Sequence, residues 1–545
     1  MNFDKCISLA INNIIKFGDT DIFPFSIENI IFEEKVEELI KHFKKDINKL
    51  NKDEFKQYLA NNTPANFSTV CPVGYTGYRW ATIIDPYWNA YFLALVISIA
   101  DKIEEKRLSH EYVYSYRYDP QIESGKLFNT GLGWRKFQEE SINLCENNNE
   151  YKYIISCDIA DFYPRIYHHR LENELDRIGS SNPSLLANIH HIKILLQNFS
   201  KTKSYGLPVG GPASRILAEL ALDATDKLLL LQKIKFKRFV DDYLIFCKTK
   251  EEAHSLLTFL NIKLIENEGL TLQKNKSLIM SKEEFTKIAR SKIYGINEDE
   301  GSAEKAKFLS LPVRFDPYSP NAVQDYEDIK SSLVNFDLYT MLNEELQKSK
   351  INQFYTRHLI KALKFANEQV LSNSFIIMFD NIAELYPIFN TIIQTAINQW
   401  ERLDEKSKRH IFLIIENLVS QKSYLIQTDV NLAFTIKLLS LFNTIESSIL
   451  LNDIYERTKA SLVKKLITQA MAKQNNHSWL SDIKNTYSTQ DELQKRIFII
   501  CSYLLGDEGE HWRTHNQKGF TPIQKIYKDW ASSRKQSSKT IGSAL

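Results

Sequence analysis

The spacing of apolar residues changes character twice along the chain. In residues 1–60, Ile30, Val36, Leu39, Ile40 and Phe43 fall near one helical face with Lys and Glu between them, which predicts a helical lead-in. Residues 61–80 are turn-rich, with Asn61-Asn62-Thr63-Pro64 and Cys71-Pro72-Val73-Gly74-Tyr75-Thr76-Gly77. Mixed elements follow. Strands are predicted at 78–84, stopped by Asp85-Pro86, at 112–118, at 153–157, on both sides of Asp241-Asp242, and at 269–277. Helices are predicted at 91–106, 167–178 and 251–267, and after a Gly/Pro-rich loop at 205–212. From about 320 onward the period is helical almost throughout. Leu359/Ile360/Leu363, Phe375/Ile376/Phe379/Ile382/Leu385, Phe412/Ile415/Leu418/Val419 and Leu432/Ile436/Leu439 are its apolar clusters. That predicts stacked helix pairs of a HEAT-like kind, although no clean repeated signature is visible. A polar run at 473–478 marks a break, and 532–545 reads as a loose polar tail.

Composition narrows the class. The 545 residues suffice for two or three domains, and 43% apolar content supports sizeable cores. Lys+Arg is 69 against Asp+Glu 67, so only a local patch could speak for a polyanionic partner. Cys6, Cys71, Cys145, Cys157, Cys247 and Cys501 form no Cys-x-x-Cys pair, which argues against a cysteine-type zinc module and fits free thiols in a reducing cytosol. Met1-Asn2-Phe3-Asp4-Lys5 is not a signal peptide, and the longest apolar run, 91–100, is too short to span a bilayer. The expectation is a soluble intracellular protein with no membrane partner.

Four stretches carry candidate chemistry. In Arg238-Phe239-Val240-Asp241-Asp242-Tyr243-Leu244-Ile245-Phe246, two acids sit between apolar runs and read as an acidic hairpin turn. Their mutual repulsion would be relieved by a divalent cation; a plain surface turn is the alternative. Asp158 ends the run Tyr153-Ile154-Ile155-Ser156-Cys157 and is followed by Ile159-Ala160-Asp161-Phe162-Tyr163-Pro164. A carboxylate there is costly unless a cation, a helix cap or a salt bridge partners it. The loop Tyr205-Gly206-Leu207-Pro208-Val209-Gly210-Gly211-Pro212-Ala213-Ser214-Arg215 leads into a helix through Glu219, so it is either an anion-binding helix entry or an ordinary one. Lys276 closes the short basic stretch 269–277. Arg79, in a strand after a glycine-bearing loop, is placed to meet a phosphate or simply lies on the surface. The aromatics of 112–118 suit base stacking and ordinary strands equally. His511 and His515 stand at metal-binding spacing, but Trp512 occupies the position of a metalloprotease glutamate, and a helix start is the better reading.

Taken in order, an acid at a strand end, a glycine loop before a helix, an acidic hairpin and a lysine suit nucleotidyl transfer. That chemistry uses two divalent ions about 3.5–4 Å apart, bridged by carboxylates from separate strands. Mg²⁺ takes few protein ligands and leaves the rest to phosphates and water.

This order and wording resembles the palm of a reverse transcriptase over roughly residues 70–290, with Phe239-Val240-Asp241-Asp242 as its aromatic-x-Asp-Asp box and 158–163 as its first acidic motif. The resemblance implies an α+β fold: a right-hand fingers–palm followed by an all-α HEAT-like helical-repeat domain. The division is 1–60 helical lead-in, 61–315 fingers and palm, 316–530 helical repeats, and 531–545 tail. It implies Asp158 and Asp241 as main metal ligands with Asp242 beside them, for two Mg²⁺ or alternatively Mn²⁺. Tyr163 would be a steric gate against a ribose 2′-hydroxyl. Asp161 and Phe162 would present backbone amides to the triphosphate, Arg79 would grip it, Gly210 and Gly211 would let the nucleotide approach, and Lys276 would protonate pyrophosphate.

Val209 departs from the Gln usual after Pro208 in templating enzymes. Pro208-Val209-Gly210 with Ser214-Arg215-Ile216-Leu217-Ala218-Glu219 is similar instead to bacterial defence-associated, abortive-infection reverse transcriptases of the AbiK-like kind. That likeness implies a cytoplasmic bacterial antiphage DNA polymerase, using dNTPs, making a DNA product and forming a homo-oligomer. It would work either untemplated and protein-primed or by copying a bound noncoding RNA. Two further readings are an RNA-binding scaffold with a dead palm, which the intact acids disfavour, and a non-polymerising nucleotidyltransferase, which the motif order disfavours.

Overall fold

The computed structural model describes residues 1–18, 20, 22–201, 203–294, 308–309, 311, 330–333, 336–537, 540–542 and 544–545. The chain packs as two compact units, Met1–Ser68 with Trp80–Ile293, and Thr69–Arg79 with Tyr294–Leu545. The expected boundary at 315/316 lies outside the described residues.

In the first unit the lead-in is helical as predicted: α1 (Phe3–Phe17), α2 (Ser26–Glu34), α3 (Val36–His42) and α4 (Lys52–Asn61). The next helix, α5 (Pro86–Lys106), begins five residues before the predicted start at 91. The Asp85 carboxylate accepts from the Tyr87 amide at 3.1 Å, and Pro86 takes the first helical position, where its missing N–H costs nothing. α5 is buried on nearly every face, and α1 packs along it.

Strands β1 (Phe67–Pro72) and β2 (Tyr78–Ile83) form a hairpin, and β3 (Tyr118–Gln121) and β4 (Lys126–Phe128) form another. The strand predicted at 112–118 is not there. Val113 makes a single parallel bridge to Arg238, and Tyr116 turns the chain at φ 44°.

The centre of the unit is a four-stranded antiparallel sheet, order β6 (Phe236–Phe239), β7 (Asp242–Cys247), β5 (Tyr153–Asp158), β8 (Leu278–Ser281). On one face Ile154, Leu244, Phe246 and Met280 pack with Phe137, Ile142 and Cys145 of α6 (Trp134–Asn147) and with Phe285 and Ala289 of α12 (Lys282–Tyr294). Helix α11 (Lys250–Lys263) packs on β5 and β7. Between β5 and β6 run α7 (Phe162–Arg165), α8 (His168–Ser181), α9 (Leu186–Ser200) and α10 (Pro212–Leu231). The predicted strand at 269–277 is corrected. The chain crosses the end of β5 through one bridge, Ile159 to Leu272, then makes a 3₁₀ turn at Lys274–Lys276, and the ladder strand starts only at Leu278.

The second unit is a helical array. Glu368–Asp380 packs on Glu405–Ser420, and the series Phe389–Asn398, Asp429–Leu439, Ser461–Lys473, Glu492–Cys501 and Pro522–Gln536 stacks each member on the next. Alternate helices form the layers, as in a HEAT-like solenoid. The polar run at 473–478 is a true break, with Asn475 at φ 55° and Asn476 capping the next helix. The expected loose tail from 532 is partly docked: the last helix runs to Gln536, Ile541 is buried, and the Leu545 carbonyl accepts from Gln469 Nε2 at 3.0 Å. No helix among the described residues is long and apolar enough to cross a membrane.

Candidate active site

Two apolar strands bring three acids to one end of the sheet. β5 and β7 pair in register with Asp158 opposite Asp242. The hairpin before β7 is a two-residue turn of Val240 and Asp241, so Asp242 already belongs to the strand and the turn is one residue earlier than the paired acids suggested. Val240 sits at φ 58°, a conformation a β-branched residue adopts only at a cost. The Asp241 carbonyl accepts from the Ile159 amide at 3.1 Å, which ties the turn to the segment just beyond Asp158.

The carboxylates feel one another. Burial, then the charges of Asp158 and Asp242, push the Asp241 carboxyl up to about 7. Burial and Asp158 push Asp242 up to about 6. Lys276 Nζ lies 2.7 Å from Asp158 Oδ2, and this hydrogen bond raises the lysine above its ordinary value. One cation therefore already sits on the acids. Among the described residues, no three acid, histidine or cysteine side chains close into a ready metal cage. The donor set is hard oxygen in an open arrangement, which fits a divalent ion completed by phosphate and water.

Beneath the turn lies a buried ionic cluster. Arg238 is 1% exposed. Its Nε and Nη2 donate to Asp226 at 2.9 and 2.6 Å, Nη2 lies 3.0 Å from Glu219, and Nη1 donates to the Val240 carbonyl at 2.7 Å. Tyr243 Oη donates to Asp226 at 2.9 Å, while Arg107 Nη2 and Ser115 Oγ donate to Glu219 at 2.7 and 2.5 Å. Sequence reasoning gave these residues no role. The available signal was a charge inside an apolar strand and two acids, Glu219 and Asp226, seven residues apart on one face of the same helix.

The other predicted residues divide into four groups. Asp161 is exposed at φ 49°, Phe162 is buried, and the Tyr163 hydroxyl is enclosed with no hydrogen-bond partner. Burial raises Tyr163 well above its ordinary value, and Tyr116, Glu219, Arg215 and Asp241 also act on it electrostatically. The glycine loop docks on this segment: Leu207 N donates to the Tyr163 carbonyl and Gly206 N to Ile166, both at 2.8 Å. Gly206 is at φ 103°, and a Cβ there would come within 3.2 Å of the Pro164 carbonyl. Pro208, Val209, Gly211 and Ser214 line a small cavity with Thr82, Ile84 and Asn89. Gly210 turns the loop at φ 101°, and the Arg215 guanidinium lies 5.3 Å from the Tyr116 ring centre. Arg79 falls in the second compact unit, with its Nε enclosed and unpartnered. His511 and His515 share a helix, where His515 Nδ1 donates to the His511 carbonyl at 2.9 Å.

Comparison with known proteins agrees with the palm. Residues 98–313 match the family "Reverse transcriptase (RNA-dependent DNA polymerase)". No curated protein matches the chain. Among solved structures, a telomerase from Candida albicans in complex with a fragment of telomeric RNA is similar at 12% identity and TM-score 0.31, over 72% of this chain and 71% of that one. The apo telomerase of Candida tropicalis is similar at 10% identity and TM-score 0.31, over 82% and 74%. With the acids on paired strands and the family match across them, residues 98–313 are a reverse transcriptase domain, and the chain is an RNA-directed DNA polymerase, a nucleotidyltransferase.

Proposed function

We propose that the chain is an antiphage DNA polymerase of the AbiK-like kind, adding dNTPs to a 3′-hydroxyl by a two-metal route. The observation that supports it best is the register of Asp158 with Asp242, which sets Asp241 beside them at a buried strand end with Lys276 as their cation. Asp158 and Asp241 would hold two divalent ions, Mg²⁺ or Mn²⁺, with Asp242 beside them. When bound, such ions would lower the pKa of the attacking hydroxyl and offset the negative charge of the triphosphate.

The chain's own residues do the rest. The amides of Asp161 and Phe162 and the turn at Gly210-Gly211 receive the triphosphate, and Arg79 grips it. Tyr163 stands against a 2′-hydroxyl. Lys276 delivers a proton to the departing pyrophosphate. Val209 offers no side-chain hydrogen bond to a base or template, which favours untemplated, protein-primed synthesis. The family match itself favours the second reading, copying of a bound noncoding RNA. A homo-oligomer in a bacterial cytoplasm belongs to the same proposal.

The test is incubation of the purified protein with Mg²⁺ and each labelled dNTP, without primer or template, with half the sample first treated with ribonuclease. Product that resists ribonuclease and stays on the protein supports the untemplated mode. Product lost on that treatment supports the RNA-copying mode. Product undiminished in Asp241→Ala/Asp242→Ala overturns the assignment of the site.

A further inference from the structure

The near-neutral chain hides one strongly one-sided stretch. Between Glu345 and Glu368 it carries Lys348, Lys350, Arg357, His358, Lys361 and Lys364 and no Asp or Glu. Within it, the helix Gln353–Ala362 and the 3₁₀ turn Leu363–Phe365 place Phe354, Arg357, Lys361 and Lys364 at helical spacing along one face. Arg357 and Lys361 are exposed, Lys364 is half-buried, and the Phe354 ring is 64% exposed.

The tip of the β1–β2 hairpin is tied to the same place within this unit. The Tyr75 hydroxyl donates to the Glu384 carbonyl at 2.8 Å and accepts from the Ile351 amide at 3.3 Å. The Tyr78 and Tyr386 hydroxyls share a hydrogen bond of 3.1 Å, and Arg357 Nη2 donates to the Pro387 carbonyl at 3.0 Å. This brings Arg79 to the head of the cationic face. The like charges act on one another. Burial of the head, and then Arg79, hold Arg357 below its ordinary value, and Lys361 adds to burial in lowering His358 and Lys364.

Cations at helical spacing along one face, beside an exposed ring, suit a strand that brings phosphates and bases together. We propose that Arg357, Lys361 and Lys364, continuing from Arg79 and accompanied by Phe354, form a phosphate-binding row that holds a single strand of nucleic acid on the helical unit. The proposal rests on the polymerase reading for its biological sense. Its chemistry, phosphate recognition, is shared with the triphosphate of a free nucleotide, so the test separates the two sources.

Fluorescent oligo(dT) is titrated with the full-length protein in EDTA across about 50–200 mM KCl. Arg357→Gln/Lys361→Gln is compared with Lys525→Gln/Lys535→Gln, a control that removes the same charge from the last helix. The expected result is a Kd raised about tenfold in the first variant alone, with the log–log salt slope smaller by about 1.4, as for two lost phosphate contacts on a single strand. Phe354→Ala should raise Kd about fivefold or more with the slope unchanged. An unchanged Kd, or an equal rise in the control, overturns the proposal. A raised dNTP KM with Kd unchanged also overturns it and assigns the row to the nucleotide. Because the titration needs no catalysis, Asp241→Ala/Asp242→Ala should bind oligo(dT) normally. Loss of strand binding in the row variant, in a protein that makes no DNA, would leave the row standing and sink the polymerase reading instead.

Discussion

In the proposed site a proton and a divalent cation would compete for the Asp241 carboxylate. Its folded pKa of about 7, and that of about 6 for Asp242, lie above the unfolded value near 3.9, so the native state holds these protons more tightly than the unfolded chain does. Without metal, this pair therefore favours the fold at low pH, and its contribution is lost as pH rises from about 4 through about 7. The melting temperature in EDTA should fall over that window, Mg²⁺ should restore it at pH 8 more than at pH 5.5, and Asp241→Asn should flatten both responses. The same variant should lower kcat about a thousandfold. Arg238 acts one step further out, through the Val240 carbonyl that it holds at 2.7 Å. Arg238→Lys keeps a charge for Asp226 and Glu219 but loses the planar fork that reaches all three partners. Steady-state assays should show kcat down at least about tenfold with dNTP KM little changed. Arg107→Lys, which perturbs the same cluster without touching the turn, should leave the Mg²⁺ concentration for half-maximal activity where it was.

Elements built on short apolar runs bounded by turn residues were legible, and elements defined by a single crossing were not. β5, β6 and β7 follow from β-branched and aromatic residues around acids, and that pattern marked Asp158, Asp241 and Asp242 as candidates, although Asp158 and Asp242 turn out to be strand residues themselves. The runs 112–118 and 269–277 have similar composition but make one bridge each. Whether such a run finds a ladder depends on neighbours far away in sequence, a tertiary choice that overrides propensity. The brace of Arg238, Asp226 and Glu219 was unreadable for the same reason, because its partners lie on a helix and a strand whose approach the chain does not announce. The glycine loop shows what a single position can decide. Gly206→Ala would impose left-handed backbone on a residue with a Cβ and crowd the Pro164 carbonyl. It should cost about 1–3 kcal/mol by chemical denaturation and, by shifting the Leu207–Tyr163 contact, raise incorporation of ribonucleotides relative to deoxynucleotides.

At the scale of the whole molecule, the change of apolar period from mixed to helical foretold two halves, and the β1–β2 tip was the exception. Thr69–Arg79 packs with residues that follow it by some three hundred positions. Tyr75→Phe, which removes one hydroxyl serving Glu384 and Ile351, should destabilise the helical unit by about 1 kcal/mol, read as an earlier unfolding transition with Asp241-centred metal binding unchanged. The arrangement also sets an order of events during synthesis. Tyr78 meets the Tyr386 hydroxyl only after 308 more residues have been added. At roughly 5–20 residues per second, that is a wait on the order of 15–60 s. For the later part of that interval, once Asp242 has been added, a ribosome-bound chain already possesses Asp158, Asp241 and Asp242 while its hairpin tip has no partner, so the candidate acids are in place before the contacts that fix the tip.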